Sequence, residues 1–215
     1  MVKKLNLREK QFFLAILAYL SFCGFSFLSQ FVDPLFGLVT IIGIAIPLAW
    51  GRWTGHWASM GFRKENLKPA LGWGILGGIL TSLIGISVLP KLSIPPQLGL
   101  QLAIGIPLWF FIASPFQEFF FRGYIQPIFE NRFGNLWGLL LANLGFTLWH
   151  YCAPFSASPV PLNTPIGFLS TFAAGLVYAT IFQRTRHIGA PWLAHLLTGI
   201  VFILVGAMDF VAEVF

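Results

Sequence analysis

Long apolar runs, each interrupted by a short polar or proline-containing stretch, set the pattern of this chain. Runs of roughly 17 to 25 residues, the length a helix needs to cross a hydrocarbon core, fall near 11–29, 34–50, 70–90, 100–121, 136–155, 165–183 and 188–208. The breaks are Asp33-Pro34, Arg52 to Pro69, Pro90 to Pro96, Arg132 to Asn135, Pro154 to Pro165 and Arg184 to His187. Proline and glycine at those breaks cannot continue a helix without cost, so each is expected to be a turn. The pattern predicts an all-α, polytopic transmembrane bundle of about seven helices. A single membrane domain is expected, with N-terminal helices and an interfacial segment over 1–99 and a core carrying the chemistry over 100–208.

Composition supports this solvent. Only 9% of the 215 residues are charged, against roughly 25% in a soluble domain, so lipid rather than water must surround most of the surface. The net charge of +6 does not indicate nucleic acid, because the basic residues stand singly between apolar runs rather than in a stripe. They read instead as an orientation signal. With the amino terminus cytoplasmic, Lys3, Lys4, Arg8, Lys10, Arg132, Arg184 and Arg186 are among twelve of the thirteen cations on the inner side, and only Lys91 falls outside. No small-residue cleavage site follows the first apolar run, so that run is expected to stay as the first helix. The stretch Trp53 to Lys68 mixes aromatic and basic residues, as would either an amphipathic helix on the inner leaflet or a plain cytoplasmic loop. Cys23 and Cys152 both fall in apolar surroundings and read as packing residues.

Ionisable side chains are costly within the membrane, so Glu118, Arg122, His150 and His195 mark a site or a structural ion pair. Glu118 and Arg122 are four apart and share one helical face, where they can pair. His150 ends one apolar run and His195 lies in another, and each imidazole can exchange protons near neutral pH or ligate a metal. Counting helical rise from the turns places Glu118, His150 and His195 at one level, about 11–15 Å deep in the inner half of the bilayer. Three residues from three helices are therefore expected to converge. Two histidines and one glutamate also form a zinc-type ligand set, so zinc is a candidate cofactor, with Glu118, His150 and His195 as its ligands.

This arrangement over residues 100–205 resembles the CAAX-prenyl-protease and bacteriocin-processing (CPBP, or Abi-type) family of intramembrane endopeptidases. The family pattern is two adjacent glutamates with an arginine four beyond the second, then Phe with His four later, then His with Asn or Asp four later. Glu118 and Arg122 match the first motif, Phe146 and His150 the second, and His195 the third; Phe121-Arg122-Gly123-Tyr124, Arg132-Phe133-Gly134 and Gly189-Ala190-Pro191-Trp192 add context. The resemblance implies an endopeptidase for lipidated or membrane-inserted peptides. A glutamate and His150 would activate water, His195 would support the oxyanion, and Arg122 would orient Glu118.

The chain departs from that pattern twice. Gln117 stands at the general-base glutamate, and an amide cannot take up and release a proton as a carboxylate does. Gly199 stands at the Asn of the oxyanion side and offers no side-chain donor. Three readings fit these residues: a natural member that binds partners without cleaving, a member that uses Glu118 as its base, or an introduced change at 117. The alternative function is therefore a catalytically silent membrane scaffold that binds or regulates partner membrane proteins. A transporter using the same residues as a proton relay is disfavoured by the lack of an inverted repeat.

Overall fold

The computed structural model describes residues 7–32, 34–89, 91–153 and 164–208. Lys3 and Lys4, Asp33, Pro90 and positions 154–163 of the proline-rich stretch lie outside the described residues. The described chain is helical without strands. Its elements are α1 (Leu7–Leu28), α2 (Pro34–Thr54), α3 (Leu67–Ile86), α4 (Leu98–Phe133), α5 (Asn135–Trp149), α6 (Pro165–Thr185) and α7 (Gly189–Leu204). The seven helices follow the seven apolar runs, and five of them, α1, α2, α3, α4 and α6, are long and apolar enough to cross a membrane. Helix α7 is apolar but has 16 residues, and α5 has 15, so these two run shorter than the apolar stretches that announced them. Helical structure stops at Trp149, and Tyr151 to Ala153 fold into turns.

The stretch after α2 corrects one alternative. Residues 55–66 form successive turns rather than an amphipathic helix. Gly55 and Gly61 have φ of +71° and +83°, in the left-handed region where glycine is at ease and a helix cannot continue. At Gly61 the requirement is steric as well, because a Cβ there would lie 2.6 Å from the backbone nitrogen of Ile188. The turn docks on the α6–α7 connection, with Ile188 N–H donating to the Gly61 carbonyl at 3.0 Å and Phe62 packing edge-on against Phe119.

Helix α4 organises the bundle. At 36 residues it spans about 50 Å, more than the hydrocarbon thickness, so its end carries the α4–α5 turn beyond the core. Gly134, at φ +80°, makes that turn. Aromatic rings of α1 and α5 close on α4: Phe22 stacks on Phe120 at 4.3 Å and on Trp149 at 5.4 Å, and the Trp149 indole donates to Ser26 Oγ at 2.7 Å. On the other side α3 presents Gly74, Gly78 and Gly85 to α7, and a Cβ on Gly78 would lie 2.7 Å from the Leu197 Cβ. Small residues at that spacing let two backbones approach closely, the usual way helices associate in lipid. Near the turns, buried Glu130 accepts from Gln126 and Gln183, each at 2.8 Å, and pairs with Arg186, tying α4 to α6. Together these contacts fix the relative positions of α4, α5, α6 and α7, the four helices that carry the site.

Candidate functional site

The site residues of α4 sit between two widened turns. Residues Trp109–Ala113 and Phe119–Ile125 are π-helical, with Ser114 N–H reaching back five residues to the Trp109 carbonyl and Gln126 N–H to Phe121. Pro115 and Pro127 follow closely in each case. Neither has an N–H to give to the carbonyl four residues back, so the α-helical ladder breaks there and the turn opens. The one regular turn between them, Ser114–Glu118, carries Gln117 and Glu118.

Glu118 is fully buried, and its two oxygens face two different cations or donors. Oε1 lies 2.7 Å from His195 Nδ1, and Oε2 lies 3.4 Å from Arg122 Nε, an ion-pair distance without hydrogen-bond geometry. The i,i+4 pairing expected from sequence is present, and the tighter partner, His195, comes from α7. Arg122 is 1% exposed and is held on several sides. Its terminal nitrogen donates to the Gly175 carbonyl of α6 at 3.0 Å, and its guanidinium lies 4.0 Å above the Phe146 ring of α5. A planar cation in this setting gains from both the carbonyl and the ring face.

The two histidines are oriented by different groups. His195 Nδ1–H donates to Glu118, so Nε2 is the ring atom left for a ligand. Tyr178 stacks on the His195 ring at 4.9 Å and 20°, and its hydroxyl donates to Thr198 at 2.9 Å, one turn beyond His195. Half-buried His150 caps α5, where Nδ1–H donates to the Phe146 carbonyl at 2.9 Å. A carbonyl only accepts, so the proton is on Nδ1 and the neutral ring keeps Nε2 as an acceptor.

Levels agree as well. Glu118 stands 15 residues before Phe133 and His150 15 residues after Asn135, so each lies about 22 Å from the α4–α5 turn. Phe146 links the two sides, touching His150 at 4.5 Å and lying beneath Arg122, which also faces the Tyr178 ring at 5.5 Å. His150, Arg122, Glu118 and His195 thus form one connected set across α4, α5, α6 and α7.

Gln117 is buried beside Glu118, and its Oε1 has no hydrogen-bond partner. The zinc set does not close. Among the described residues no three His, Cys, Asp or Glu side chains are grouped to hold a metal, and the Glu118 oxygens face His195 and Arg122 instead.

Residue 199 differs most from what the sequence alone suggests. The Trp109 indole lies directly over Gly199, and a Cβ built there would fall against Cδ2, Cε2 and Cε3 of the ring, 2.6 Å from the last. No room for an Asn side chain remains. Gly199→Asn should therefore overpack the site and cost about 1–3 kcal/mol, read as a lowered unfolding midpoint in detergent. Full stability in that variant would mean that the indole moves aside freely. Trp109 and Tyr178 are site residues that the motifs missed. Tyr178 carried a faint signal as the one tyrosine of its apolar run, but nothing in the sequence joins 109 to 199.

No curated protein and no solved structure matches the chain. A family model does, that of the type II CAAX prenyl endopeptidase, Rce1-like, over residues 99–201. That stretch holds α4 to α7 almost whole, with Glu118, Arg122, His150 and His195 all inside it. Residues 99–201 of this helical membrane protein belong to the Rce1-like family of type II CAAX prenyl endopeptidases.

Proposed function

We propose that the chain binds lipidated or membrane-inserted peptides at the Glu118–His150–His195 set and hydrolyses them slowly, because its general base is missing. The observation that carries this reading is the state of Glu118. It is fully buried, with one oxygen on His195 and the other beside Arg122, so it acts as a clamp between these two side chains. Its Oε1 is taken by the His195 N–H, and its buried Oε2, which has no hydrogen-bond partner, faces the Arg122 guanidinium. Water activation then falls to His150 Nε2, with the Gln117 carbonyl oxygen able to accept a hydrogen bond from that water but not its proton.

The steps follow ordinary amide hydrolysis. Water attacks the scissile carbonyl carbon as His150 takes a proton, and the carbonyl π pair moves onto oxygen, where the Nε2–H of imidazolium His195 can donate. Collapse expels the amine, which recovers the proton from His150. The experiment is to present a lipidated membrane peptide in liposomes to the unmodified chain and to Gln117→Glu. Faster cleavage by the variant supports the reading. Absence of cleavage by both would remove the peptidase and favour the scaffold.

We further propose that the α4–α5 and α6–α7 turns face the cytoplasm, which would admit substrate from that side. The support is the cation bias, with Arg132, Arg184 and Arg186 at these turns and Lys91 at the opposite one. In a chain whose Cys23 and Cys152 are serine, a cysteine at Arg132 should be labelled only from the inner face and one at Lys91 only from the outer face. Labelling at 132 from outside intact cells would invert the topology.

A further inference from the structure

Trp109 opens the first π-helical turn of α4 and is 8% exposed, packed among Leu196 and Ile203 of α7. Its ring centroid is 5.3 Å from that of His195, and it covers the Cα of Gly199, one helical turn along the same face. The indole Nε1–H can only donate, and it has no hydrogen-bond partner. Buried donors are nearly always satisfied, so an orphan of this kind points to a group that arrives with a ligand. Other unpartnered polar atoms lie along the same helix, at Ser114 Oγ, Gln117 Oε1, Glu118 Oε2, Arg122 Nη1 and Gln126 Oε1.

The two unusual features at this place explain one another. Asn at 199 and an indole at 109 exclude each other sterically, and each carries one N–H donor group beside His195. We infer that the Trp109 Nε1–H donates to the carbonyl oxygen of the scissile peptide bond, replacing the donor that residue 199 lacks. Gly199 is then the residue that makes space for this donor. The inference rests on the peptidase reading given above and deepens it: the substrate amide is polarised by His195 Nε2–H and Trp109 Nε1–H together. As water adds to the carbonyl carbon, the oxygen takes the π pair and both donors shorten toward it. When the amine leaves, the carbonyl re-forms.

Two arms test this separately from the peptidase reading. In the Gln117→Glu background, Trp109→Phe keeps an aromatic ring over Gly199 and removes the N–H; kcat should fall about 10²–10³-fold with KM little changed. Trp109→Ala with Gly199→Asn should recover at least about tenfold over Trp109→Phe, which a purely structural role would not give. In the second arm the unmodified chain, labelled with ¹⁵N-tryptophan, is saturated with a phosphinate peptide that carries a tetrahedral oxyanion. The Trp109 indole resonance, assigned by its loss in Trp109→Phe, should move downfield, and a reduced-amide peptide of the same sequence should leave it in place. If Gln117→Glu proves inactive, the peptidase reading falls and the indole resonance alone decides the donor role. An unchanged kcat in Trp109→Phe, or no indole shift at saturating phosphinate, overturns the proposal.

Discussion

Arg122→Leu should lower the unfolding free energy by about 3–5 kcal/mol, among the largest effects any single substitution in this chain can have. The reason is not the worth of the Glu118–Arg122 pair, which at 3.4 Å is loose, but what remains when the cation is gone. Glu118 would stay fully buried with only His195 facing it, and the Gly175 carbonyl and the Phe146 ring face would lose their partner together. Lysine should rescue only part of this, because a compact ammonium cannot reach the carbonyl, the ring and the carboxylate as a planar fork does. The check is equilibrium unfolding in mixed detergent. Adding Glu118→Gln to Arg122→Leu should cost less than the sum of the two single changes, by about 0.5–3 kcal/mol. A melting temperature unchanged in Arg122→Leu would show that Glu118 does not need its cation.

Gln117→Glu should raise kcat/KM by about 10²–10⁴-fold, the usual contribution of a positioned general base. Gln117 is buried on the only regular turn between the two π segments, adjacent in sequence to Glu118, so a carboxylate there would be held where the amide now is. Gly199→Asn should restore far less, and for a physical reason the sequence could not supply. The added side chain meets the Trp109 indole before it can reach substrate. An equal gain from both substitutions would mean that the site is looser than this packing implies.

The helices and the pairing were readable from residue order because both depend on local periodicity. Apolar run length announced seven helices, and the four-residue spacing of Glu118 and Arg122 put them on one face. The common level of Glu118 and His150 followed from counting along the α4–α5 hairpin. What residue order could not convey depends on packing between distant segments. The closest partner of Glu118 is His195, 77 residues away, and the space beside Gly199 is taken by an indole from 90 positions earlier. Composition left Trp53 to Lys68 open between an amphipathic helix and a loop, and the structure has the loop. Aromatic and basic residues both occur there, and the left-handed Gly55 and Gly61 break the chain into turns that dock on Ile188.

The role of Glu118 is the point on which the rest depends, and cleavage of one membrane peptide by three chains in the same liposomes tests it most directly. The unmodified chain should be at least about 10²-fold slower than Gln117→Glu, and Glu118→Gln made in the unmodified chain should show no faster cleavage than its parent. Rapid turnover by the unmodified chain, abolished by Glu118→Gln in a protein that still folds, would make Glu118 the working base and contradict the clamp.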